Sequence, residues 1–315
     1  MSRPRIKYTG KELSSYYFVT NRIAGGYRHL HDLEKDKIIE LLKLMEKKFA
    51  FYVHEYVIME NHWHLIVEIP SHEEMTESEL REKYAQSYRP ALDPTSELLE
   101  LFKEKAHDLS YIIANFEQRF AQWFNKRNGR QGHLYGAPFD SVLLEGNLHM
   151  LKPILYTILN PVRAGIVVDP KDYFHCSYGQ RLAGVSLAGD QRYFDLILKG
   201  MDDDNPLLGE KLSKKKEAIL NWFRLLLVEE RQFKKNDSCQ LNKALFKAGK
   251  NIELTWLDQC RHKARFFTKA MAIGSKKFIN TILDENADRL HYARPRRAYE
   301  LDQFQGLHSL NMVRE

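Results

Sequence analysis

The sequence predicts an α+β protein in which an antiparallel sheet is covered by helices and is followed by a mainly helical C-terminal domain. Strand-like apolar runs and amphipathic segments follow one another in the order β-α-β-β-α-β-α over residues 1–180. This mixed order is typical of an antiparallel α+β sandwich. A stretch rich in glycine and alanine at residues 183–189 interrupts the pattern, and residues 181–315 then have helical character without repeats.

Apolar periodicity predicts the first four elements. A strand is expected near residues 16–22, a helix near 33–48, and two further strands near 51–58 and 62–69. The helix is amphipathic, and its apolar face carries Ile38, Ile39, Leu42 and Met45.

The next elements alternate with polar connections. Residues 71–100 are acidic and polar and contain two prolines, so they are expected to form either a mobile flap or a partly helical insert. A long helix near 101–126, a basic loop at 127–136, a strand near 138–144 and a helix near 147–160 complete the first domain. Asn147 is a candidate N-cap for the last helix, and Pro161 and Gly165 are expected to mark its end.

Charge is distributed unevenly along the 315 residues. Residues 1–180 contain 23 Lys+Arg and 24 Asp+Glu, a net charge of −1, whereas residues 181–315 contain 25 and 18, a net charge of +7. The C-terminal domain is therefore a candidate surface for backbone phosphates. An ordinary lysine-rich helical surface explains the same charge equally well.

Composition excludes several classes of protein. Hydrophobic content of 43% and charged content of 29% are ordinary for a globular protein, and no apolar stretch is long enough to span a bilayer. Residues 1–7 are not followed by an apolar run, so they are not expected to be a secretory signal. The three cysteines, which lack metal-ligand spacing, are expected to be reduced thiols in a cytoplasmic protein; they are Cys176, Cys239 and Cys260.

The most informative segment is residues 56–67, an apolar run that contains His62, Trp63 and His64. In a strand, successive side chains point to opposite faces, so the two histidines share one face and the tryptophan occupies the other. Two neighbouring imidazoles on a rigid strand are half of a site for a divalent metal. The alternative is that both histidines are polar positions of an amphipathic strand.

A second segment, residues 152–165, contains Tyr156 and Asn160. The spacing of four places both side chains on one face of a helix. Each residue also has a structural explanation. The tyrosine could be a core aromatic on a buried helix, and the asparagine could close that helix before Pro161.

Together, residues 59–64 and 156–165 resemble the signatures of the single-tyrosine HUH transposases, in particular the branch of REP-associated tyrosine transposases. The resemblance covers roughly the first 180 residues and implies a ferredoxin-like catalytic domain. Two departures stand out: Glu60 occupies the position of a usual proline, and residues 135–139 lack a usual arginine that contacts DNA.

The resemblance implies a function as well as a fold. It implies that Tyr156 attacks DNA, that His62 and His64 hold Mg²⁺ or Mn²⁺, and that Asn160 supplies a third ligand. The expected reaction is cleavage and rejoining of single-stranded or hairpin DNA through a 5′-phosphotyrosine intermediate, in transposition or in processing of REP elements. Because a covalent intermediate retains the bond energy, no ATP site is required.

Basic residues around these motifs are candidates for DNA contacts. Three of them lie in or beside the basic loop, one lies a turn before the tyrosine and one lies beyond it: Lys126, Arg127, Arg130, Lys152 and Arg163. A solvated surface is the alternative for each.

In the tail, Ser275 is a candidate N-cap and residues 292–297 form a basic cluster, which suggests either DNA binding, packing against the catalytic domain, or a homodimer.

Two other classes of function remain open at this stage. One is a DNA- or RNA-binding regulator that descends from such an enzyme and no longer cuts. The other is a metallohydrolase in which carboxylates complete the histidine pair, for which the candidates are Glu55, Glu60 and Glu68.

Overall fold

Seven strands form one sheet in the computed structural model of the chain. The structure describes residues 6, 13–26, 28–88, 93–201, 205–234, 270–286, 298–301 and 307–310. The strands are β1 (Ser15–Arg22), β2 (Tyr52–Ile58), β3 (His62–Ile69), β4 (Asp140–Leu144), β5 (Ala272–Gly274), β6 (Tyr299–Glu300) and β7 (His308–Ser309). Their order in the sheet is β2-β3-β1-β4-β5-β7-β6, and all neighbours are antiparallel except β4 and β5.

Helices cover both faces of this sheet. They are α1 (Asp32–Lys48), α2 (Glu77–Ser87), α3 (Ser96–Ala106), α4 (Leu109–Arg127), α5 (Leu151–Ile158), α6 (Asn160–Arg163), α7 (Ser177–Leu182), α8 (Asp190–Met201), α9 (Leu212–Lys234) and α10 (Lys276–Glu285). Among the described residues, no helix combines the length and the apolar character needed to cross a membrane.

The first four strands have the element order and strand order of a ferredoxin-like fold. The chain runs β1-α1-β2-β3-α4-β4, and the sheet runs β2-β3-β1-β4 with antiparallel neighbours throughout. Helices α2 and α3 are inserted between β3 and α4. The α+β class and the antiparallel sheet predicted from the sequence are therefore present in the structure.

The alternation of side chains along β3 divides the core into two layers. Trp63 and Leu65 face α1 and α4, and the Trp63 ring lies 5.6 Å from that of Phe116. Ile66 faces the opposite layer, where it packs with α5, α8 and α9. His64 lies on this second face, directly beside the helix that carries Tyr156.

The C-terminal part contributes strands as well as helices. Strand β5 pairs in parallel with β4, and β7 and β6 extend the sheet further. The sequence predicts a mainly helical region here and does not reveal these strands, because each is only two or three residues long. Helices α8 and α9 also pack in the same core layer as β1 and β3. The division of the chain near residue 180 stays a prediction.

Two helix boundaries differ from those predicted. The helix expected near residues 101–126 is interrupted, because the Asp108 carboxylate accepts hydrogen bonds from the backbone amides of Ser110 and Tyr111 and starts α4 there. The helix expected near 147–160 begins with a 3-10 turn over Asn147–Met150, and α5 starts only at Leu151. The insert at 71–100 is partly helical, which is one of the two alternatives that the sequence left open.

A buried arginine links strand β2 to the helices beyond residue 180. The Arg181 guanidinium donates hydrogen bonds of 2.8 Å to the carboxylates of Glu55 on β2 and Asp190 on α8. All three side chains are only 1% exposed. Removing one member of such a buried group leaves the others charged without a partner, which is far more costly than losing a surface ion pair.

Replacing Arg181 with methionine should therefore lower the free energy of unfolding by about 3–5 kcal/mol. Urea unfolding followed by circular dichroism measures the change. The matched control is Arg119→Met on the exposed side of α4, where the expected change stays within about 0.5 kcal/mol. Equal stability of the Arg181 variant and the control would show that the buried network does not hold the two parts together.

Candidate active site

The two histidines lie at the start of β3, where the strand passes beside β1. The register pairs His62 with Arg22 and His64 with Thr20. The centroids of the two imidazole rings are 5.0 Å apart and the rings are nearly perpendicular. His64 is buried, whereas His62 is only partly buried at the rim. The sequence prediction that both rings share one face of the strand agrees with this placement.

Tyr156 on α5 lies against the same histidine pair. The centroid of its ring is 5.6 Å from that of His64 and 5.9 Å from that of Phe18. The Phe18 ring in turn stacks on His64 at 5.3 Å. Tyr156 is 4% exposed, yet it lines an open cleft, so the tyrosine belongs both to the core layer and to the cleft wall.

Asn160 reaches the histidines from the next helical turn. Its side chain hydrogen-bonds to His62, whose Nδ1 also lies 2.7 Å from the side-chain oxygen of Asn61. Helix α5 ends at Ile158, because Pro161 has no amide hydrogen to donate to a carbonyl of the preceding turn. Helix α6 then begins at Asn160. The chain leaves this short helix at Gly165, which adopts a φ of 72°.

These side chains open onto a cleft of about 780 Å³ at one end of the sheet. Its walls come from the end of β1 and the turn after it, the start of β3, the loop before β4, and the end of α5 with α6. The lining residues are Thr20, Asn21, Arg22, Ile23, Ala24, Gly25, Gly26, His62, His64, Gly136, Ala137, Pro138, Asp140, Tyr156, Asn160, Arg163 and Ala164.

Both imidazoles are held in the neutral form at neutral pH. Burial lowers the pKa of His62 to about 4, and the nearby charges of Arg22 and Arg163 act in the same direction. Burial also lowers the pKa of His64 well below its ordinary value, with smaller contributions from His62 and the same two arginines. A neutral imidazole keeps the lone pair that a metal ligand requires.

The donor groups fit a divalent metal ion. His64 Nδ1 is buried and has no hydrogen-bond partner among the described residues, which is unusual for a buried polar atom. His62 and the Asn160 carboxamide lie beside it, so two imidazoles and one amide group converge on one wall of the cleft. Two imidazoles suit Mn²⁺ better than Mg²⁺, which prefers an all-oxygen shell.

The carboxylates considered for a metallohydrolase do not join this group. Within the part of the chain that the structure describes, no cluster of three or more His, Cys, Asp or Glu side chains is placed to hold a metal ion. The three candidates are engaged in ion pairs elsewhere: Glu55 with Arg181, Glu60 with Arg28, and Glu68 with Arg192.

Of the basic residues predicted to contact DNA, Arg163 alone lines the cleft. Lys126 and Arg127 end α4, where the Arg127 Nε lies 3.8 Å from the Glu34 carboxylate. Arg130 lies in the loop that follows α4, and its guanidinium is 5.9 Å from the centroid of the Phe124 ring on that helix. Contacts from these three residues to DNA stay a prediction for a surface outside the cleft.

Lys152 also lies away from the cleft, near His149 at the opposite end of α5. It is one helical turn before Tyr156, but the cleft is built on the turn that follows the tyrosine.

In the tail, the Ser275 hydroxyl accepts a hydrogen bond from the Phe278 amide, so the predicted N-cap is confirmed. The basic cluster at residues 292–297 lies outside the described residues.

Several cleft residues, chiefly Arg22 and Asp140, were not predicted from the sequence. Arg22 ends β1 opposite His62, and Asp140 starts β4 opposite Thr20. Strand pairing over such sequence distances cannot be deduced from one sequence. A usable signal was the position of Arg22 at the very end of a predicted strand, where a side chain is free to enter a cleft.

Comparisons with known proteins include a distant similarity to a solved structure. No family model matches the chain, and no curated protein matches it. Among solved structures, the chain is similar to a REP-associated tyrosine transposase bound to a REP hairpin, with a TM-score of 0.39 and 14% identity over 58% of this chain and 86% of that chain. A similarity of this size does not identify functional residues.

Proposed function

We propose that this protein is a metal-dependent DNA strand transferase that cleaves and rejoins single-stranded or hairpin DNA through a tyrosine. The observation that carries the proposal is the position of the Tyr156 ring, 5.6 Å from the His64 ring on the wall of an open cleft. A nucleophile and a metal-binding pair placed side by side in a cleft are the minimum that such chemistry requires.

Each residue has a distinct role in the proposed reaction. His62, His64 and Asn160 hold the divalent ion, Mg²⁺ or Mn²⁺, which when bound polarises a phosphate oxygen as a Lewis acid. The Tyr156 oxygen attacks the phosphorus and loses its proton to water. The bond from phosphorus to the 3′ oxygen breaks, and that oxygen gains a proton as the 3′-hydroxyl leaves.

The product is a 5′-phosphotyrosyl protein and a free 3′-hydroxyl. Because the new bond to tyrosine is also a phosphodiester, attack by a 3′-hydroxyl can reverse the step and join strands without ATP. The sequence resemblance to REP-associated tyrosine transposases supports hairpin-forming DNA as the substrate, and transposition or processing of REP elements as the process. A homodimer stays a prediction.

Incubation with labelled hairpin and single-stranded oligonucleotides in Mn²⁺ tests the proposal. The expected result is a labelled species of protein size on a denaturing gel that protease treatment removes and chelator prevents. Peptide mapping should locate the label on Tyr156. Binding of the same oligonucleotides without any adduct, over a range of hairpins and metals, would instead support the regulator that no longer cuts.

A further inference from the structure

We infer that Arg22 and Arg163 form a clamp that holds the phosphodiester attacked by Tyr156. The inference rests on the proposed function and assigns two positioning residues to it. Both arginines line the same cleft as His62, His64 and Tyr156, and Arg22 lies directly opposite His62 in the pairing of β1 with β3. A ligand bound in this cleft can therefore contact the arginines as well as the histidine pair.

Arg163 is partly buried against the proposed nucleophile. Its guanidinium carbon lies 4.5 Å from the centroid of the Tyr156 ring, so the group packs on that ring. Its Nη1 atom is buried and has no hydrogen-bond acceptor among the described residues. A buried donor on a charged group is costly in this state unless a ligand supplies the acceptor.

Arg22 provides the second side of the clamp. It ends β1 directly opposite His62, and it is an exposed residue that lines the cleft. Among the described residues, its guanidinium has no hydrogen bond or ion pair. Of the described residues that line the cleft, Asp140 alone carries a carboxylate, and it lies on β4, on the far side of β1 from the histidines. The charge around the histidines is thus positive.

A phosphodiester has the oxygens and the negative charge that these groups require. The planar guanidinium donates two parallel hydrogen bonds to the oxygens of one phosphate. Since Arg163 packs on the Tyr156 ring, a phosphate bound to it lies beside the phenol. The same donors would stabilise the negative charge that grows on the phosphate oxygens during attack.

Binding of a labelled single-stranded oligonucleotide to the full chain in chelator tests the clamp independently of the metal. Arg22→Gln and Arg163→Gln should each weaken binding roughly 10-fold. Each should also lower the slope of log affinity against log salt by about 0.7. The matched control Arg119→Gln, on the exposed side of α4, should bind as the unaltered protein does, and inorganic pyrophosphate should compete only where both clamp arginines are present.

Thermal unfolding separates the clamp from a structural role. In Arg163→Gln, relief of the buried Nη1 without an acceptor opposes loss of the contact with the Tyr156 ring, so the melting temperature should stay within about 3 °C of that of the unaltered protein, whereas loss of a main structural support would lower it further. Unchanged oligonucleotide affinity in both variants would overturn the clamp even if the Tyr156 adduct forms. Arginine-dependent binding without any adduct would support the clamp and reject the proposed transferase.

Discussion

Phenylalanine in place of Tyr156 should reduce formation of the covalent DNA adduct by a factor on the order of 10³ or more, because it removes the attacking oxygen. The ring itself remains, with its contacts to His64 and Phe18. The cleft and its arginines are also retained, so the affinity for single-stranded DNA should change little. Denaturing gels measure the adduct, and fluorescence anisotropy measures the affinity.

A second buried tyrosine supplies the control for this experiment. The Tyr173 hydroxyl donates a hydrogen bond of 2.7 Å to the Ile58 carbonyl, and the residue does not line the cleft. Tyr173→Phe should lower the free energy of unfolding by about 1 kcal/mol and leave the adduct intact. An undiminished adduct in the Tyr156 variant would assign the nucleophile to another residue.

Replacement of both His62 and His64 with alanine should abolish metal-dependent adduct formation. Neither imidazole then remains to hold the ion, and Asn160 alone offers a single weak oxygen donor. Isothermal titration calorimetry should show Mn²⁺ binding to the unaltered protein and none to the double variant. Loss of the buried His64 ring and of its stacking on Phe18 should lower the free energy of unfolding by about 2–3 kcal/mol, and circular dichroism checks that the double variant is folded.

His133→Ala is the matched control, because His133 is exposed in the loop before β4 and outside the cleft. It should bind Mn²⁺ and form the adduct as the unaltered protein does. Adduct formation that continues in chelator, or in the double variant, would reject the assignment of the metal site to these histidines.

Local periodicity was enough to predict the relative orientation of neighbouring site residues. The period of two along β3 placed His62 and His64 on one face, and the spacing of four placed Tyr156 and Asn160 on one side of a nearly continuous helix. These relations hold within a single element. The resemblance to a known family, and not periodicity, brought the two elements together in the prediction.

Long-range pairing could not be predicted in the same way. Arg22 enters the site because β1 pairs with β3 in one particular register, and one sequence does not specify that register. Arg130 and Lys152 were expected to contact DNA because of their charge and their proximity to the motifs in sequence. Their directions depend on the packing of a loop against Phe124 and on which end of α5 opens onto the cleft.

The parallel pairing of β5 with β4 has a practical consequence for anyone who wishes to shorten the chain. The amides of Leu143 and Glu145 donate to carbonyls of Met271 and Ile273. A fragment that stops near residue 180 would leave these amides without partners on an exposed edge strand, which favours self-association. The strand that leads into the tyrosine helix would then lack its neighbour, so the smallest useful fragment should retain residues well past the first 180.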